Sequence, residues 1–128
     1  MKKILNIALG DMSTGELGIA IAFIKDQNPE FYSNFLLIPE EKKEILKNSN
    51  FNIFYLSKEQ SPRQNRESFA DVIRTVNPDL IILFDIFTVN QYWNVLSCVV
   101  CPFISRVISV IGSDNQDFII FQVFLNFR

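Results

Sequence analysis

The chain contains no histidine. That absence removes imidazole from each of its usual roles: general base near neutral pH, metal ligand, and partner of a serine or cysteine nucleophile. Two cysteines, Cys98 and Cys101, are too few for a disulfide-stapled secreted scaffold. Glycine is nearly as scarce, with four residues in all. Gly10, Gly15 and Gly18 do not have the G-x-G-x-x-G spacing of a dinucleotide site, and no Gly-Lys-Ser/Thr supplies a phosphate loop. No resident cofactor or metal is expected. Neither sign of charge dominates: the net charge is −2, which points to neither nucleic acid nor an anionic membrane as partner. The apolar runs near the C-terminus are broken by Arg106 or too short to span a bilayer. In the opening MKKILNIALGD, Asp11 interrupts the apolar run and no small-residue cleavage site follows, so a signal peptide is not expected and a cytoplasmic protein is.

What remains is strongly apolar. Hydrophobic residues make up 48% of 128 positions, with 13 phenylalanines among them, enough for one domain with its own core. Ile4–Leu9 reads as a strand covered on both faces, followed by a turn from Gly10 to Gly15 and a helix opening at Ser13 or Thr14. Ser13 and Glu16 fit the S-x-x-E capping box, and Leu17, Ile21 and Ile24 share a helical face with Ala20. Phe35–Ile38 is predicted as the second strand, and Glu40–Lys47 as a short exposed helix. Asn52–Leu56 is the third strand. Ser61 and Pro62 supply an N-cap and a first-turn proline for a helix that buries Phe69, Val72, Ile73 and Val76 and stops at Asn77-Pro78. Asp79–Phe84 is the clearest strand, with Asp85 at its C-terminal end.

Alternating strands and helices with short connections predict a Rossmann-like α/β domain. Its sheet should be mostly parallel, with Ile4–Leu9 and Asp79–Phe84 in the interior and helices on both faces. The ordered pattern covers residues 1–97. Residues 98–128 form an apolar C-terminal segment, with a possible fifth strand at Val107–Ile111 and a further run at Phe118–Phe127, or else a truncated end. Because no amphipathic helix follows to cover it, this segment is expected to self-associate or to meet a partner. The pair Cys98 and Cys101 is formally C-x-x-C, but it falls late and in an apolar run, so buried, inert thiols are expected.

In a parallel sheet, ligands sit beyond the C-terminal ends of the strands, where the Gly10–Gly15 turn and the Asp85–Asn90 segment both fall. The candidate ligand-binding residues are therefore Gly10, Asp11, Ser13, Thr14, Gly15, Asp85 and Thr88. Glycines at such a turn permit positive φ or the close approach of a ligand. Glu16 is either a cap of the first helix or a cleft carboxylate able to take a proton from a hydroxyl. Tyr92 and Trp93 offer a stacking platform for a sugar or the face of an amphipathic helix.

The stretch LGDMSTGELGIAIAFIK resembles the opening of GT-B glycosyltransferases, nucleotide-sugar enzymes built from two Rossmann-like domains. NPDLIILFD is similar to that family's fourth-strand pattern. The likeness runs from about Lys2 to Trp93. It implies the N-terminal, acceptor-side half of such a protein, inactive until a second Rossmann-like domain brings the nucleotide sugar. Gly15-Glu16 stands where many members have Gly-His, so the resemblance makes Glu16 the candidate catalytic base. The alternative is a Rossmann-like binding or interaction module without chemistry, or a truncated product. PDLIILFDI also resembles the phospho-acceptor strand of receiver domains. The order of elements argues against that, since Asp85 ends the fourth strand rather than the third.

Overall fold

The computed structural model describes residues 1–10, 14–47, 49–57, 59–99, 101, 103–110 and 117–124. For residues 14, 15, 86, 87, 103–110 and 117–124 it describes the backbone. Strand β1 (Lys2–Ile7) leads to helix α1 (Thr14–Asp26), then β2 (Tyr32–Pro39), a 3-10 helix (Glu40–Leu46) and β3 (Asn52–Leu56). Helix α2 (Pro62–Val76), β4 (Leu80–Leu83), two short helices α3 (Ile86–Gln91) and α4 (Trp93–Leu96), β5 (Phe103–Val110) and β6 (Asp117–Phe124) follow. One sheet holds these strands in the order β3-β2-β1-β4-β5-β6. The first five run parallel, and β6 returns antiparallel to β5. This is the expected Rossmann-like α/β domain, with β1 and β4 inside the sheet.

The two interior strands are apolar because both of their faces are covered. Along β1 the side chains alternate between two cores: Leu5 and Ile7 pack with α2, α3 and α4, whereas Ile4 and Ala8 pack with α1. Asn6 breaks the apolar pattern and is fully buried. Its Nδ2 donates to Asn34 Oδ1 at 3.0 Å and to the Phe35 carbonyl at 3.1 Å, tying β1 to β2 through side chains as well as through the ladder. Nδ2 is thereby satisfied, while Asn6 Oδ1 is buried with no hydrogen-bond partner among the described residues.

α2 follows its local sequence closely. Ser61 Oγ accepts from the Gln64 N–H, and the Ser61 N–H donates back to Gln64 Oε1, which closes a capping box. Asn77 ends the helix at φ 50°, in the left-handed region that asparagine tolerates. Phe69, Val72, Ile73 and Val76 are buried, as their spacing predicts.

The structure refines the expected elements and corrects two expectations, the burial of Cys98 and the start of the fifth strand. The short exposed helix expected at Glu40–Lys47 is present as a 3-10 helix over Glu40–Leu46; only Leu46 of it is buried, and little packing favours the wider α-helical turn. The segment after Asp85 is helix α3, nucleated by a cap described below. Cys98 is exposed, and Cys101 alone of the two thiols is buried. The fifth strand also starts earlier than Val107, at Phe103, where it pairs with Ile81 of β4.

Candidate functional site

The sheet has one position where successive connections leave in opposite directions, between β1 and β4. α1 carries the chain from β1 to β2 on one face, and α2 returns it from β3 to β4 on the other. Ligands of open α/β sheets bind in the crevice outside such a point. The Ala8 N–H still reaches the Leu37 carbonyl (3.0 Å), and the Phe84 N–H the Ile7 carbonyl (2.9 Å). Beyond these bonds the chain leaves the sheet at Leu9-Gly10 and at Asp85, side by side on the C-terminal rim.

Gly10 is the focus of this rim. Its carbonyl accepts from Lys42 Nζ at 3.1 Å, so the 3-10 helix after β2 reaches back to fix the end of β1. Glu16, in the first turn of α1, lays its carboxylate against the Gly10 Cα. A Cβ at position 10 would overlap Oε2 and stand 2.8 Å from Cδ and 2.9 Å from Oε1. Gly10 does not have positive φ; what it supplies is room for the carboxylate. Glu16 is half-buried, and an ammonium and a carboxylate thus converge on one backbone residue.

Asp85 and Thr88 are both buried, and they face each other. Asp85 Oδ1 accepts from the Thr88 N–H at 3.1 Å, and Oδ2 accepts from Thr88 Oγ1. This is an N-cap geometry that satisfies an otherwise orphaned donor of α3. Gly15 is the second residue of α1, and Thr14 the first. Asp11 and Ser13 lie outside the described residues, and with Ser13 the capping box predicted for α1. Structure therefore brings Gly10 and Glu16 together, and separately Asp85 and Thr88.

A cleft of about 360 Å³ continues the rim from Leu9 toward the start of α2. Its polar wall comprises Ser57, Gln60, Asn65 and Gln91 among the described residues, none of which carries a formal charge at neutral pH. Asn65 Oδ1 is buried there with no hydrogen-bond partner among the described residues. The cleft is floored in part by Tyr92, which is 4% exposed and stacks on Phe69 with ring centroids 4.2 Å apart. Burial pushes the Tyr92 phenol above its ordinary pKa, and the nearby Arg66 charge opposes that in part. Trp93, by contrast, is 47% exposed and contributes nothing to this wall, so the two aromatics do not form one platform.

Lys42, Gln60, Asn65 and Gln91 were not legible as site residues. Lys42 sits in a run of mixed charges, Glu40 to Glu44, that reads as a solvated face. A signal did exist for Gln60 and Asn65: they flank the predicted N-cap of α2, and a helix that starts where a parallel strand ends starts on the ligand-binding rim. Among the described residues, no group of three or more histidine, cysteine or acidic side chains is arranged to hold a metal ion, and no helix is long and apolar enough to cross a membrane.

No curated protein matches the chain. A family model does, over residues 23–123, a span that includes Lys42 and the α2 side of the cleft, while Gly10 and Glu16 precede it. The chain belongs to that family, a family of unknown function designated DUF6365.

Proposed function

We propose that this domain is the acceptor-side half of a GT-B-like glycosyltransferase, holding an uncharged, hydroxylated acceptor on its C-terminal rim. The observation that carries this reading is the Glu16 carboxylate, held against Gly10 at the topological switch point. The neutral cleft beginning at Leu9 adds to it. Carboxamides and a serine hydroxyl recognise hydroxyl groups without demanding a charge, and Asn65 Oδ1 offers an acceptor for a ligand O–H. Glu16 would take the proton of the acceptor hydroxyl as its oxygen attacks the anomeric carbon of the donor. The diphosphate leaving group requires cations or helix N-termini around the donor. A second Rossmann-like domain supplies these in this reading, and the chain alone transfers no sugar. A cytoplasmic location belongs to the same proposal.

A second reading, a binding module without chemistry, is favoured by the composition of the cleft, whose polar groups are amides and a hydroxyl. One experiment separates the two. The purified chain is screened by saturation-transfer NMR against neutral alkyl glycosides, sugar phosphates and nucleotide sugars, with release of nucleotide diphosphate followed in parallel. We expect glycosides alone to bind, with no diphosphate release. Glu16→Gln should weaken binding about tenfold, the loss of one charge-assisted hydrogen bond. Glycoside binding that ignores Glu16→Gln leaves the binding module. Saturable turnover of a nucleotide sugar by the chain alone, or no glycoside binding, overturns the proposal.

A further inference from the structure

The end of the sheet opposite the rim carries a second cavity, of about 370 Å³, between the C-terminal half of α2 and the connection from α4 to β5. Ala70, Ile73, Val95 and Val99 give it apolar walls, and both cysteines of the chain line it. Cys98 is exposed and Cys101 buried, and neither is disulfide-bonded. Cys98 lies in the turn that follows α4; its N–H reaches the Val95 carbonyl at 3.0 Å and its Sγ–H donates to the Asn94 carbonyl at 3.4 Å. Three residues on, Cys101 presents its thiol to the same space.

We propose that Cys98 and Cys101 are a dithiol–disulfide couple that reacts with small-molecule disulfides entering this cavity. An exposed thiol and a buried one on a single cavity divide the work of thiol–disulfide exchange. The Cys98 thiolate attacks one sulfur of the incoming disulfide, forming a mixed disulfide and expelling the first small thiol. Cys101 then gives its proton to solvent, and its sulfur attacks Sγ of Cys98, expelling the second. Overall two protein thiols are oxidised to one cystine, and one small disulfide is reduced to two thiols. Burial raises the pKa of the Cys101 thiol, which keeps it protonated and makes it the resolving rather than the attacking group. A disulfide needs Cα atoms within about 7 Å, a separation that residues three apart reach where the chain turns, as it does at Cys98. The cavity lies at the N-terminal ends of β4 and β5, away from the candidate site, so this chemistry stands independently of the proposed function.

The test is intact-mass analysis of the reduced chain incubated with oxidised glutathione under native conditions. An adduct of one glutathione should appear first and then convert to a species two hydrogens lighter than the reduced chain. Cys101→Ala should stop at the adduct. Cys98→Ala should react only after unfolding. A wild-type chain that keeps its glutathione, takes up two, stays unreacted or forms a disulfide-linked dimer overturns the proposal, and that reading does not depend on whether either variant folds.

Discussion

α1 and α2 both cover the sheet, one on each face, yet they are specified in different ways. α2 is consistent at every level. Its capping box, first-turn proline, left-handed C-cap and single buried stripe all call for the same helix. α1 is apolar nearly all round: Leu17, Ala20 and Ile24 are buried, and Ile21 and Phe23 pack at the margin of the same core, while Ile19 stays exposed. Its first turn spends its one acidic residue against Gly10 rather than in solvent. Local rules and tertiary fold agree where a helix is scaffold, and they part where a residue is held for another purpose. By that criterion α2 beyond its first turn, where Asn65 faces the cleft, is scaffold, and the start of α1 is site. Substitutions should therefore separate stability from binding according to which helix they touch.

The largest effect is expected at Phe69, the fully buried centre of the α2 stripe. Phe69→Ala removes the ring that stacks on Tyr92 and leaves a cavity, at a cost of about 3–5 kcal/mol. Against a total stability on the order of 5–15 kcal/mol, chemical denaturation should show a large fall in midpoint. A loss below about 1 kcal/mol would mean that the α2 face is not the core it is taken to be. Ser61→Ala comes next. It deletes the Oγ acceptor of the Gln64 N–H while touching nothing in the sheet, so about 1 kcal/mol should be lost. Glycoside binding should survive both the cap deletion and a matching loss of stability elsewhere on α2. If Ser61→Ala abolishes binding at unchanged stability, the α2 cap itself is part of the site and the contrast between the helices fails.

What the sequence disclosed follows the same division. The order of elements from β1 to β4, and the buried face of α2, come from periodicity, caps and prolines, which act over a few residues. Asn52–Leu56 was legible to the residue because Leu56 is followed by polar turn residues. α3 was missed, since IFTVNQ has no helical period; it forms because Asp85 and Thr88 cap it, a contact between neighbours that reads from sequence as two polar residues beside an apolar run. Asn6 was hidden inside an apolar strand, and its partners, Asn34 and Phe35, come from the adjoining strand. Lys42 was unreadable for the same reason: its bond to Gly10 joins residues 32 positions apart. Long-range pairings of this kind are set by topology, and local pattern carries no trace of them.

The smallest expected change in stability is the most informative about the site. Gly10→Ala adds a methyl group where the Glu16 carboxylate now lies. The backbone at Gly10 does not have positive φ, so alanine brings no conformational strain there. The obstacle is the far end of a flexible side chain, which can swing aside by rotating about its χ angles. Stability should fall by no more than about 0.5–1 kcal/mol, because no core contact is lost. The carboxylate, however, loses the position in which Gly10 holds it, and glycoside binding should weaken to the level of Glu16→Gln. Combining the two changes should then cost no more than either alone, since both remove the same positioned charge. Thermal unfolding and NMR titration of Gly10→Ala, Glu16→Gln and the double variant read the two quantities separately. Additive losses in binding would show that Gly10 and Glu16 act independently, and the rim would have to be rebuilt around some other pair of residues.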